Sequence, residues 1–338
     1  MSRLKTLVRN EAGTPPLRGG HALCQGCGVP MVVRTIVDSI ETPVVVVSAT
    51  GCLEVATTRF PTTAWNVPWL HVAFENAAAV ASGVETAHRA LVRRGALPAD
   101  EPLTFLVLAG DGGTYDIGLQ ALSGSLERGH RFIFVCYDNE AYMNTGVQRS
   151  GATPFGAGTT TTPAGTASLG KAQQRKDMTA IAVAHHVPYV AQAVSVHWHD
   201  LSQKVSRAAT ADGPSFLNVL TNCPVGWGHE PRESLEILNA AVDTCFWPLY
   251  EVVDGRYRLT HVPERIRPIE DWLRPQARFA HLMRPEATAA VERIQQQIHD
   301  EWETLRRRCE LDAAASEPLI RSQVRDLGAR QPHEVARA

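Results

Sequence analysis

Five short runs of continuous apolar residues punctuate the first two thirds of the chain: Val44–Ala49, Thr104–Ala109, Arg131–Tyr137, Pro188–Ala191 and Ser215–Leu220. They are rich in β-branched and aromatic residues and do not alternate. Strands buried on both faces of a parallel sheet read this way. Segments with helical spacing lie between them. Met31–Ile40 carries Val32, Ile36 and Ile40 on one side. Glu75–Leu91 turns Ala77, Val80, Ala81, Val84, Ala87 and Leu91 inward. Ile117–Leu126 carries Ile117, Leu119, Leu122 and Leu126, and Met178–His185 and Asp200–Ala209 are helical too. This alternation predicts an α/β fold with a doubly wound, mainly parallel sheet.

Two stretches break the pattern. Residues 57–74 hold two prolines and two tryptophans with no clean period and read as an ordered loop over the sheet edge. Residues 149–176 are rich in Gly and Thr, almost without large apolar side chains, and read as a loop beside whatever site the chain carries. Beyond Val225 the texture changes. A helix is expected at about 232–244. A hairpin follows, Leu249–Val253 and Tyr257–Thr260, turned at Asp254-Gly255. Residues 262–282, with their prolines and arginines, are expected along the surface. Glu286–Leu311 reads as a last amphipathic helix, with a mobile tail from about 315. The organisation predicted is an arm at 1–20, an α/β domain at 21–260 and a helical C-terminal extension at 261–338.

The polar residues at the carboxyl ends of the strands carry the chemistry. Thr50-Gly51-Cys52, Gly110-Asp111-Gly112-Gly113, Asp138-Asn139-Glu140 and Thr221-Asn222-Cys223 each follow a predicted strand. Ligands bind at that edge of open α/β sheets. Glycines there let the backbone approach a phosphate, and a helix N-terminus favours its charge. Asp111 and the Asn139 amide are hard oxygen donors suited to Mg²⁺. Gly110-Asp111-Gly112 with Asn139, 27 residues after Gly112, resembles the thiamine diphosphate signature. A Rossmann-type turn with a surface Asp and Asn is the plainer alternative.

Seven cysteines in a chain of formal charge −2 change the picture further. There is no uninterrupted apolar run of membrane-spanning length, and the basic N-terminus lacks the apolar core of a secretory signal. A cytoplasmic protein without nucleic-acid or membrane partners is expected, and its cysteines are better read as ligands than as disulfides. Cys24 and Cys27 share one loop, while Cys52 and Cys223 each end a strand. Four thiolates suit zinc or a 4Fe–4S cluster. Only one pair is local, which favours the cluster over structural zinc. Cys136, Cys245 and Cys309 read as inert packing residues.

Assembled, the motifs GHALCQGCG, SATGCLEVATTRFPTTAWNVPWLHVAFENAAAVASG, AGDGGTYDIGLQALSGSLERGH and YDNEAYMNTGVQRSGATP resemble the thiamine-diphosphate-binding β subunit of 2-oxoacid:ferredoxin oxidoreductases of the pyruvate synthase type. The resemblance runs from about His21 to the hairpin near 260. It implies Cys24, Cys27, Cys52 and Cys223 as ligands of a 4Fe–4S cluster. It implies Asp111, Asn139 and the Ala141 carbonyl as Mg²⁺ ligands. Cys52, Gly110, Asp111, Gly112, Gly113, Asn139, Ala141, Tyr142 and Asn144 would line the thiamine diphosphate, and Asn144 would face the substrate as the catalytic residue. It implies a CoA-acylating oxidative decarboxylation, of pyruvate in the first instance. Phenylglyoxylate or oxalate are the alternatives within the class, and a non-redox thiamine decarboxylase with zinc is the alternative outside it. The partners implied are alpha, gamma and delta-type subunits, coenzyme A, and ferredoxin or an NAD-linked flavin subunit.

Thiamine chemistry needs a carboxylate on the aminopyrimidine ring. Glu54, Glu75 and Glu140 are the nearby acids, and the resemblance assigns the role to a partner subunit instead. His185-His186 and His197-Trp198-His199 lack a third ligand at useful spacing and read as surface or capping residues. Trp65, Trp69 and Trp227 read equally as a shield for the cluster or as core.

Overall fold

The computed structural model describes residues 15–166 and 168–329, with side chains up to 315. The first fourteen residues of the predicted arm lie outside the described residues. From residue 16 the segment is fastened to the body. Leu17 is fully buried opposite Trp65, and Arg18 N donates to the Ala64 carbonyl at 2.8 Å.

Eight strands form one sheet: β1 (Val44–Ala49), β2 (Trp69–Val72), β3 (Thr104–Gly110), β4 (Ile133–Asp138), β5 (Tyr189–Val194), β6 (Ser215–Leu220), β7 (Tyr250–Val253) and β8 (Arg256–Leu259). Their order is β2-β1-β3-β4-β6-β5-β7-β8. The first six run parallel, and the β7–β8 hairpin adds antiparallel to β5. The hairpin turns at Asp254 and Gly255, both at positive φ (48° and 79°), as a two-residue turn matched to strand twist requires. β1 leads outward to β2, whereas β3 leads the other way to β4. The crevice between the ends of β1 and β3 is therefore a topological switch point, where such sheets bind ligands.

The helices are α1 (Val29–Asp38), α2 (Cys52–Thr57), α3 (Ala77–Arg93), α4 (Leu119–Glu127), α5 (Met178–Val183), α6 (Trp198–Thr210), α7 (Pro224–Trp227), α8 (Ser234–Asp243), α9 (Glu270–Leu273) and α10 (Thr288–Ala329). Successive strand residues face opposite layers. Val46, Leu106, Val135 and Leu217 pack under α1 and α6, and Val47, Val107, Phe134 and Phe216 under α3, α4 and α5. A third core, around Trp227, Trp247, Trp272 and Phe279, joins α8 and α10 to the sheet end. No helix among the described residues is long and apolar enough to cross a membrane.

The structure corrects five expectations. Residues 57–74 are not all loop, because β2 pairs with β1 from Val46 opposite Trp69. Four partly exposed edge residues are too few to show a period. The helix expected from Ile117 opens as a π-helical turn, Gly112–Asp116, which rotates the register and leaves Ile117 half-exposed. Helix α3 buries Ala77, Ala78, Ala81, Ser82 and Glu85, whereas Ala87 and Leu91 face solvent. Arg89 pairs with Glu85 at 3.0 Å, which makes a polar residue tolerable on the inner face. Residues 262–282 belong to the third core, with Ile269, Trp272, Phe279 and Leu282 all buried. Short helical turns place them there without a regular period. The last helix does not stop near 311 but runs to Ala329.

Candidate functional site

The glycine turn after β3 brings backbone against side chains from three segments. A Cβ at Gly112 would collide with the Tyr142 ring and meet Phe74 at 3.1 Å, so only glycine fits there. The resulting cleft is lined by Thr50, Gly51, Cys52 and Phe74, by Gly110 to Gly112, by Tyr137 and Asn139, and by Ala141 to Thr145. The structure thus gathers nearly all the cofactor residues expected from sequence. Gly113 is the exception, packing behind the cleft against Phe74.

Asp111 is 1% exposed. Ser150 Oγ donates to its Oδ2 at 2.5 Å, and the Asn139 backbone N–H reaches Oδ1 at 3.4 Å. Burial, and then the charge of Asp138, push its carboxyl well above the usual range. The Asn139 amide faces Asp111 Oδ1 and the Ala141 carbonyl, each 3.0 Å from the same amide atom. With its nitrogen turned inward the amide donates to both. With its oxygen there, three oxygens converge. The edge of an octahedron with Mg²⁺–O bonds near 2.1 Å is about 3.0 Å, so this donor set fits Mg²⁺.

The turn bearing these donors is braced from behind. Glu140 is fully buried at φ 69°, an uncommon conformation outside glycine. Arg175 Nη1 reaches its Oε1 at 3.1 Å and Arg278 Nη2 its Oε2 at 2.6 Å. Arg175 also pairs with Asp138 at 2.8 Å, where the Tyr115 hydroxyl donates at 2.7 Å. Arg278 stacks over Trp227, whose Nε1 donates to the Asn139 carbonyl at 2.8 Å. Glu140 therefore leaves the list of acids for the aminopyrimidine ring. Glu54 is held by Thr58 at 3.3 Å and lies 3.7 Å from His71, and Glu75 is exposed. Trp227 is core and brace together, while Trp65 and Trp69 stack on each other near the edge strand. His185 bonds the Ile181 carbonyl and Ser123, and His197 stands before α6 against His261.

Cys24, Cys27, Cys52 and Cys223 share one neighbourhood beside the cleft. The loop of Cys27 presses on the end of β6, where a Cβ at Gly28 would overlap Thr221 Oγ1. Burial, then Cys223, Cys52 and Cys24, push the Cys27 thiol up to about 12. Burial, then Cys223, push Cys52 up to about 11, against a hydrogen bond from Asn144. Gly226 N donates to Cys223 Sγ at 3.3 Å. Such N–H donors suit sulfurs that carry charge. Among the described residues no group of three or more His, Cys, Asp or Glu side chains is already set to hold a metal ion. Cys136 is buried within β4 and Cys245 lies in the third core.

Ser150, Arg175 and Arg278 were not singled out from sequence. Ser150 lies in the Gly/Thr segment expected beside the site, which was the available signal. Arg278 stands 138 residues from its partner, and nothing local marks it.

Comparison with known proteins supports the geometry. The thiamine pyrophosphate enzyme C-terminal TPP binding domain matches residues 49–219. Pyruvate synthase subunit PorB of Methanocaldococcus jannaschii is 46% identical over 85% of this chain and 95% of its own length. The PorB subunit of Methanothermobacter thermautotrophicus is 48% identical over 86% of this chain and 97% of its own. Among solved structures, 2-oxoglutarate:ferredoxin oxidoreductase from Magnetococcus marinus superposes with a TM-score of 0.50. It is 22% identical and covers 63% of this chain and 69% of the other, a likeness of fold.

Proposed function

Since the chain belongs to the family of pyruvate synthase PorB subunits, oxidoreductases that act as part of a complex, we propose that it binds thiamine diphosphate–Mg²⁺ for the oxidative decarboxylation of pyruvate. In this reading Cys24, Cys27, Cys52 and Cys223 would hold a 4Fe–4S cluster that supplies the electron exit toward ferredoxin or another acceptor, with coenzyme A as the acyl acceptor. The observation that carries this reading is Cys52. Its residue lines the cleft while its thiol feels Cys223 and Cys24. In this reading one residue would serve both the carbon chemistry and the electron exit.

When bound, thiamine diphosphate supplies the carbanion chemistry that releases carbon dioxide from a 2-oxoacid. The chain's own residues bind and orient. Asp111, the Asn139 amide and the Ala141 carbonyl would hold Mg²⁺. The glycine turn admits the diphosphate. Asn144, exposed and hydrogen-bonded to Cys52, would donate to a substrate oxygen. Phe74 and Tyr142, edge to face at 5.8 Å, wall the cleft. The resemblance implies that the acid that activates the aminopyrimidine would come from a partner subunit, in keeping with Glu140 being committed to two arginines.

Metal analysis of protein purified without oxygen tests this reading. About four irons per chain are expected, lost in Cys223→Ser and retained in Cys136→Ser. Bound zinc without iron overturns it in favour of a non-redox enzyme. A screen of the assembled complex against several 2-oxoacids, with pyruvate turned over best, tests the substrate.

A further inference from the structure

Asp116 ends the π-helical turn Gly112–Asp116 that follows β3, and its carboxylate joins two other segments to that turn. The Tyr142 hydroxyl donates to Oδ2 at 3.0 Å, and the Gly151 N–H donates to the same oxygen at 2.7 Å. Lys176 Nζ donates to Oδ1 at 2.7 Å and to the Tyr115 carbonyl at 2.6 Å. The fit is close: a Cβ at Gly151 would stand 2.7 Å from Asp116 Oδ1 and 3.0 Å from the Lys176 stem. Both groups that the carboxylate holds belong to the cleft or to its acid. Tyr142 lines the cleft, with its ring edge against Gly112 and edge-on to Phe74. Gly151 follows Ser150, whose hydroxyl donates to Asp111 at 2.5 Å. Asp116 itself is not part of the cleft wall.

We propose that Asp116 is a positioning residue of the cofactor cleft, acting through Tyr142: it holds the Tyr142 ring over the glycine turn and Ser150–Gly151 beside Asp111, and so sets the shape of the space that takes thiamine diphosphate. The inference rests on the thiamine diphosphate reading given above. A diphosphate reaches the backbone of such a turn only if the space over the glycine stays open. The neighbour that borders that space at Gly112 is the Tyr142 ring. The main chain of Tyr142 is already tied to Gln148, with N–H to carbonyl at 2.9 Å. What Asp116 adds is control of the ring, which turns about its own side-chain bonds. Ordering a loose ring when the cofactor arrives would cost affinity, and a ring fixed beforehand avoids that loss. A carboxylate suits the task because hydrogen bonds to an ionised acceptor are roughly twice as strong as neutral ones. Lys176 keeps that carboxylate ionised in a half-buried place.

The test is a double-mutant cycle on the full-length chain, with thiamine diphosphate binding measured by calorimetry in the presence of Mg²⁺. Asp116→Asn keeps the shape and removes the charge, and its affinity should fall about 10- to 100-fold, as for a partner one step removed from a ligand. Tyr142→Phe keeps the ring and removes one hydroxyl, and its affinity should fall about tenfold. It disturbs no charge, so it tests the same link should Asp116→Asn not fold. The double variant should bind within about twofold of Asp116→Asn alone, because the second change removes a bond already lost. Losses that multiply in the double variant would show that Asp116 does not act through Tyr142, and would overturn the inference. Unchanged affinity in Tyr142→Phe overturns it too. So does a lower urea midpoint in Asp116→Asn with unchanged affinity, which makes the carboxylate a structural tie only. Wild-type chain that binds no thiamine diphosphate overturns the cofactor reading itself, a different failure from a wild type that binds and variants that bind equally well.

Discussion

Asp111 and Glu140 are buried acids just past the ends of neighbouring strands, and their surroundings are opposite. Glu140 is clasped by two guanidiniums. Asp111 has a hydroxyl and a backbone N–H, and among the described residues no cation pairs with it. Burying a carboxylate without a counter-charge is expensive. The fold offsets that cost with two guanidiniums at Glu140 and leaves it without a counter-charge at Asp111, next to two further oxygen donors. The compensated acid is a brace. Under the proposed function the uncompensated one would take the external cation.

The largest effect should come from unbalancing the compensated acid. Glu140→Gln leaves two guanidiniums partly unpaired in the interior. Urea unfolding should show a loss of about 3–5 kcal/mol. A loss below 1 kcal/mol would mean that Arg175 and Arg278 find other partners, and the contrast would collapse.

Asp111→Asn should do the reverse. Mg²⁺-dependent binding of thiamine diphosphate, measured by calorimetry, should weaken at least 100-fold, more than the loss of an outer-shell partner usually costs. Folded stability should hold or rise, since a strained carboxyl is replaced by a neutral amide of the same shape. Unaltered binding would remove Asp111 from the site.

The smallest effect tests a buried cation. Lys171 is 1% exposed and donates only to carbonyls, Thr153 at 2.5 Å and Gly151 and Gln174 at 3.4 Å. Burial, then Arg149 and Arg175, bring it down to about 8, against Asp116 and Glu140. The unfolded chain holds that proton to about pH 10.5. Below pH 8 the folded protein therefore carries the full cost of the buried charge. Between 8 and 10.5 the unfolded state binds more protons, so stability rises with pH from this group, on the order of 1 kcal/mol per pH unit. In Lys171→Met that rise should be absent from denaturation curves. An identical slope in both proteins would show that the amine stays charged.

The same contrast explains what could be read from the sequence. Asp111 and Asn139 were legible because one βαβ unit sets both at strand ends, and the motif is local. The cysteine quartet was legible because Cys52 and Cys223 end strands whose continuous apolar runs are plain. Glu140 could not be told from Glu54 or Glu75, since the partners that neutralise it lie 35 and 138 residues away. Arg278 sits in a Pro- and Arg-bearing stretch that looks like surface, and its burial depends on Trp227, Trp272 and Phe279 closing around it. The edge strand β2 escaped because it is short and partly exposed.

The clasp on Glu140 also imposes a schedule. A chain made from its N-terminus produces Cys24, Cys27, Asp111 and Asn139 early and Arg278 late. At about 5–20 residues per second, the 138 residues from Glu140 to Arg278 take on the order of 10 s to synthesise. During that interval the Asn139–Ala141 turn has at most one of its two guanidiniums, and for much of it Cys223 does not yet exist. The site is therefore finished from its far end. A cation or diphosphate reaching a nascent chain before Arg278 is made would meet a turn that is not yet braced.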